Sequence, residues 1–127
     1  KETFFAGCCD QGQTLAAIRN TYETYGYLCD THTAVAVDVA AQFKATQPLG
    51  KTVILSTASP YKFPVAVLSA LGYTPDEDEF RVMEQLQEIT SVPVPPALAG
   101  LKEKEVLHTD VIPKDALLDY VLKKVEG

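Results

Sequence analysis

Two short segments concentrate the residue types that chemistry needs. The first is Gly26-Tyr27-Leu28-Cys29-Asp30-Thr31-His32-Thr33-Ala34-Val35-Ala36. Here Asp, His and Thr crowd the start of a predicted helix, where capping oxygens and free backbone N–H groups occur together. The plainer reading is a well-capped buried helix, with His32 bonded to a carboxylate or a carbonyl. The second is Val53-Ile54-Leu55-Ser56-Thr57-Ala58-Ser59-Pro60-Tyr61-Lys62-Phe63. An apolar run ends there in hydroxyl residues and turns into a proline-started helix. In open α/β sheets, ligands bind beyond the carboxyl ends of strands, close to helix N-termini. Thr57 would point a hydroxyl into such a crevice, with Lys62 one turn inside the helix. An ordinary strand-to-helix turn capped by Ser59 explains the same residues, and spacing does not separate the two readings.

Other chemistries find little support. The sequence has no phosphate-cradling glycine loop, no Cys-x-x-Cys, no His-Glu-x-x-His and no Gly-x-Ser-x-Gly elbow. His32 and His108 are its two histidines, and nothing in their spacing assembles a triad. Cys8, Cys9 and Cys29 are an odd set with two neighbours, which is no secreted disulfide framework. Adjacent cysteines bridge each other poorly, and no second cluster completes four metal ligands. They read as small buried hydrophobes in a reducing, cytoplasmic setting, and no metal site is assigned. Asp76, Glu77, Asp78 and Glu79 diverge around a helix, so they read as complements to its positive end and not as a cation site.

The elements that must position these residues follow from periodicity and punctuation. Asp10 and Gln13 suggest a capping box for a helix from Gln11 to Tyr25 closed by Gly26. Asp30 or Thr31 caps a second helix through Ala45, apolar nearly all round and therefore expected between layers. Pro48-Leu49-Gly50 is a predicted turn, and Thr52–Ser56 an interior, parallel strand. Ser59 and Pro60 open a helix to about Leu71; another carries Phe80, Met83, Leu86 and Ile89. Val92-Pro93-Val94-Pro95-Pro96 is an extended connection, Glu105–His108 a last strand, and Pro113 begins an amphipathic helix bearing Leu117, Leu118, Val121, Leu122 and Val125. The expected fold is α/β, layered helices around a small, mainly parallel sheet.

Composition sets the outer bounds. With 127 residues, 46% hydrophobic and 22% charged, the chain suits one globular domain over 1–127 and fits neither disorder, fibre nor coiled coil. It lacks the run of about 18 apolar residues that a membrane helix needs. Seventeen acidic against eleven basic side chains, net charge −6, argue against nucleic acid as a partner. Lys1-Glu2-Thr3-Phe4-Phe5 offers no initiator Met and no signal-peptide pattern, so the chain reads as a piece of a longer protein.

In this order and separation the two segments resemble the threonine synthase family. Its C-terminal part carries Gly-Tyr-x-x-Asp-Pro-His-Thr-Ala-Val and then, about twenty residues on, an apolar strand entering Ser/Gly-Thr-Ala-His-Pro-Ala-Lys-Phe. Gly26–Val35 and Ser56–Phe63 match these, except that Thr31 stands for the Pro and Ser59 for the His. Any role of that imidazole is therefore not carried over. The lead-in at Ala6-Gly7 and the tail from Val92 to Ile112 extend the resemblance over nearly the whole chain.

The resemblance implies the C-terminal segment of a fold-type II pyridoxal phosphate enzyme, a lyase turning O-phosphohomoserine and water into threonine and phosphate. It implies Thr57 as the hydroxyl that meets the pyridine nitrogen, Ser56 as its support, and Lys62 as positive charge toward a phosphate. It also implies that the Schiff-base lysine and the loop for the cofactor phosphate lie upstream. Lys44, Lys51 and Lys62 lack that context, so no catalytic residue is assigned here and the chain alone is expected to be inactive. Its partner is then the rest of its own enzyme, and the apolar surfaces from Ala34 to Phe43 and from Val53 to Leu55 would self-associate without it. The rival reading is a free-standing α/β ligand- or partner-binding module without catalysis.

Overall fold

The structure, a computed structural model, describes residues 4–48 and 50–126. Lys1, Glu2 and Thr3 of the chain start, and Leu49 of the predicted turn, lie outside the described residues. Helix α1 (Gln11–Tyr25) begins with the expected reciprocal cap: Gln13 N–H donates to Asp10 Oδ1 at 2.7 Å, and Asp10 N–H donates to Gln13 Oε1 at 2.8 Å. It ends at Gly26, whose φ of 65° is the left-handed conformation that glycine adopts without strain. Helix α2 (Thr31–Thr46) is capped by Asp30. A 3₁₀ turn (Pro60–Lys62), α3 (Pro64–Ala70) and α4 (Glu79–Thr90) follow, then α5 (Pro96–Ala99), a second 3₁₀ turn (Lys114–Ala116) and α6 (Leu117–Glu126). Asp78 caps α4 and Glu79 lies in its first turn, as expected of carboxylates at a helix's positive end.

Helix α1 packs on both α2 and α3, and α3 packs on α4. Ile18, Val67, Leu68, Val82 and Leu86 are fully buried at these contacts, each contributing about 1.5–3 kcal/mol of transfer free energy. Arg19 binds α1 to the end of α3, its Nε donating to the Ala70 carbonyl at 2.7 Å. There the guanidinium also meets the negative end of the α3 dipole. Tyr61 is buried, and its hydroxyl donates to the Val92 carbonyl, holding the proline-rich connection against the 3₁₀ turn. The segment before α1 crosses α2: the Phe5 and Phe43 ring centroids are 4.8 Å apart, and Gln42 Nε2 donates to the Cys8 carbonyl at 2.8 Å.

The expected sheet is absent: no described residue lies in a strand. Neither Thr52–Ser56 nor Glu105–His108 has a strand beside it among the described residues. No backbone–backbone hydrogen bond involves residues 51–58 among the described residues, and Val53 and Leu55 are exposed. A strand exists only as one side of a ladder, so strand-forming side chains cannot make one without a second segment alongside. The helix expected from Pro60 to Leu71 is interrupted at Phe63, φ −134° and ψ 55°. Pro64 drives the preceding residue out of the helical region, and the helix must restart. Helix α2 is not sealed between layers; within it only Thr33 and Ala34 are buried. Cys29 is buried as expected of a small hydrophobe, but Cys8 is exposed and Cys9 half-buried, because they precede α1 on the surface.

Helix α6 stands apart. Leu117, Leu118, Val121, Leu122 and Val125 are all exposed. Truncating the core and truncating this stripe should therefore differ sharply. In urea unfolding of this chain, Leu68→Ala should cost about 2–5 kcal/mol, whereas Leu122→Ala should stay within about 0.5 kcal/mol.

Candidate functional site

The two segments singled out by residue type converge in space. The link starts with Asp30, whose side chain is fully buried at the head of α2. Taking a carboxylate out of water costs several kcal/mol unless donors surround it, and here they do. The amides of His32 and Thr33 donate to Oδ1 at 2.8 and 3.3 Å, and the Thr33 hydroxyl donates to Oδ2. His32 Nδ1 lies 3.3 Å from Oδ1. Burial alone would raise the Asp30 pKa. The Thr33 hydroxyl, the two amides and the His32 ring together outweigh it and hold the carboxyl below its ordinary 3.8.

From Thr33 the contacts run to the second segment. The Thr33 and Ser56 hydroxyl oxygens are 3.1 Å apart, and the Tyr27 hydroxyl donates to Ser56 Oγ at 3.1 Å. His32 makes a parallel link, its ring 5.2 Å from that of Phe63 and tilted by 53°. Gly26–Val35 and Ser56–Phe63 thus meet at the head of α2, through both hydroxyl and aromatic contacts.

A groove of about 390 Å³ opens beside these hydroxyls, lined by Tyr25, Tyr27, Val37 and Ile54 together with Thr21, Thr33 and Ser56. Its size is at the lower end of small-molecule sites, and its walls are mainly apolar with a few convergent hydroxyls. The groove was not foreseen from sequence; the signals available were the hydroxyl residue three places after the cap Asp30 and the apolar run ending in Ser56.

Each foreseen site residue has a definite place. Ser56 is exposed yet bonded on two sides. Thr57 is exposed, and its hydroxyl has no hydrogen-bond partner among the described residues. Lys62 is exposed with its ammonium 5.6 Å above the Phe63 ring, and it lines a separate depression that also holds Glu79. Ser59, where the family pattern has an imidazole, serves as a cap: its Oγ accepts from Tyr61 N–H at 3.2 Å. Cys29, next to Asp30, is buried; burial pushes its thiol up, a hydrogen bond with Thr21 opposes this, and the Asp30 charge adds a smaller upward push.

Comparison with known proteins bears on the whole arrangement. The family described as threonine synthase, C-terminal, matches residues 33–121. Threonine synthase-like 1 of Homo sapiens is 44% identical over 72 residues, 56% of this chain and 9% of that protein. Threonine synthase-like 1 of Mus musculus is 34% identical over 118 residues, 91% of this chain and 16% of that protein. Threonine synthase of Methylobacillus glycogenes is 36% identical over 74 residues, 58% of this chain and 15% of that protein. The chain therefore spans a small part of the length of the curated relatives it matches.

The buried carboxylate should make stability depend on pH with a predictable sign. Because the folded pKa is lowered, the Asp30 contribution is complete above the unfolded value of 3.8 and fades as pH falls through the folded value. Urea midpoints taken from pH 7 down to 3 should fall with acid for the native chain. Asp30→Asn should lower stability at pH 7 by about 1–3 kcal/mol and flatten that slope; an unchanged slope would place the acid sensitivity elsewhere.

Proposed function

The chain belongs to the threonine synthase C-terminal family, and from that premise we propose that it supplies the C-terminal part of a pyridoxal phosphate-dependent lyase of threonine synthase type. The reaction would convert O-phosphohomoserine and water into threonine and phosphate. When bound, pyridoxal phosphate supplies the electron sink that lets phosphate leave and water add at side-chain carbons. Thr57 would face its pyridine nitrogen. One observation carries this reading: Thr57 presents an exposed hydroxyl with no partner among the described residues, beside a Ser56 already fixed by two neighbours.

The chemistry of that donor fits the group. A neutral hydroxyl donates a hydrogen bond to an unprotonated ring nitrogen and, unlike a carboxylate, does not hold a proton there. The chain's own contribution is thus to orient one end of the ring. Lys62 would lend only longer-range positive charge toward a phosphate. Lys44, Lys51 and Lys62 lack the sequence context of a Schiff-base lysine, so that function belongs to the rest of the enzyme, which is also the partner proposed for this chain.

Two features support such a partner. Val53, Leu55 and the apolar stripe of α6 stand uncovered, and a surface of that kind is expected where further protein packs. The three cysteines are free thiols, which suits a reducing, cytoplasmic compartment.

Thr57→Val, which keeps the shape and removes the hydroxyl, tests the reading in the intact protein loaded with pyridoxal phosphate. Threonine formation should fall about 10- to 100-fold, the loss expected for one hydrogen bond to a charged or developing group. The absorbance band of the bound cofactor should shift as well. Unchanged turnover with an unchanged band would remove Thr57 from the site.

A further inference from the structure

Two hydroxyls converge on Ser56 Oγ. The Thr33 hydroxyl, which donates to the buried Asp30 Oδ2, also lies 3.1 Å from Ser56 Oγ with donor geometry toward it. The Tyr27 hydroxyl donates to the same oxygen at 3.1 Å. Ser56 is thus gripped at the head of α2 by a threonine that is itself held by the buried carboxylate.

We propose that Asp30 and Thr33 are positioning residues for Thr57, acting through Ser56. This inference rests on the cofactor reading above and adds to it a division of labour between the two adjacent hydroxyls. Ser56 is the anchor, its Oγ accepting from both Thr33 and Tyr27. Thr57, next along the chain, keeps its proton free. Residues 51–58 have no backbone–backbone hydrogen bonds among the described residues, so the Ser56 hydroxyl is their hydrogen-bonded tie to the helices. Without that tie Thr57 is held only from its C-terminal side, where Ser59 caps the 3₁₀ turn and Tyr61 is buried. A donor free to wander pays an ordering cost each time it meets its acceptor, whereas a held one does not.

The test compares Thr33→Val, Thr33→Ser, Ser56→Ala, the Thr33→Val/Ser56→Ala pair and Thr57→Val in the intact protein loaded with pyridoxal phosphate. Thr33→Val and Ser56→Ala should each shift the cofactor band in the direction that Thr57→Val does and lower kcat about tenfold with KM little changed. The double variant should lose no more than Ser56→Ala alone, because both act through one route. Thr33→Ser should restore band and rate. A purely structural Thr33 would lower the thermal midpoint and leave the band in place. If Thr57→Val alters band and rate while Ser56→Ala does not, the positioning role is wrong and the cofactor reading stands. An inert Thr57→Val removes both. Ser56 is exposed and caps no helix, so Ser56→Ala keeps the test decisive even if Thr33→Val fails to fold.

Discussion

A carboxylate with no access to solvent is the constraint around which this molecule is organised. Asp30 can be buried only because the first turn of α2 and the Thr33 hydroxyl turn donors toward it. That requirement fixes where α2 begins. Through Thr33 it also reaches beyond the helix: that hydroxyl lies 3.1 Å from Ser56 Oγ, and the segment carrying Ser56 is held there despite lacking any ladder of its own. Removing one partner of such a buried charge costs more than the bond itself, since the charge is left unsatisfied.

The helices around this point pack on one another in a chain, α2 on α1, α1 on α3 and α3 on α4. Contacts among α1, α2, α3 and α4 bury Ile18, Leu68 and Leu86. Val35, Val37, Val39 and Phe43 of α2 are only half-buried, and α6 shows its whole apolar stripe. Net stability of any domain is a small difference between burial and conformational entropy. A chain that leaves this much apolar surface in water forgoes part of the favourable term.

Much of the local structure was legible in the sequence because its causes are local. Asp10, Gln13 and Gly26 delimit α1 within a single helix, and Asp30 followed by Thr33 marks the start of α2. The sheet was misread because Val53-Ile54-Leu55 reports only a side-chain preference, while a strand depends on a neighbour that these residues do not name. The break at Phe63 was legible in principle, since Pro64 restricts the residue before it; the helical spacing around it masked the signal. The site was half legible. Both segments stood out by residue type, but the contact of Tyr27 and Thr33 with Ser56 spans 29 and 23 residues, beyond the reach of any periodicity. The groove between them followed from that meeting and had no signature of its own.

The grip on Ser56 has a consequence for the cleft it borders. The Thr33 and Tyr27 hydroxyls are both engaged with Ser56 Oγ, so these polar groups are partnered by one another. What the cleft then offers a visitor is chiefly Tyr25, Val37 and Ile54. Such a lining suits a flat or aliphatic portion of a molecule, whose transfer out of water is favourable.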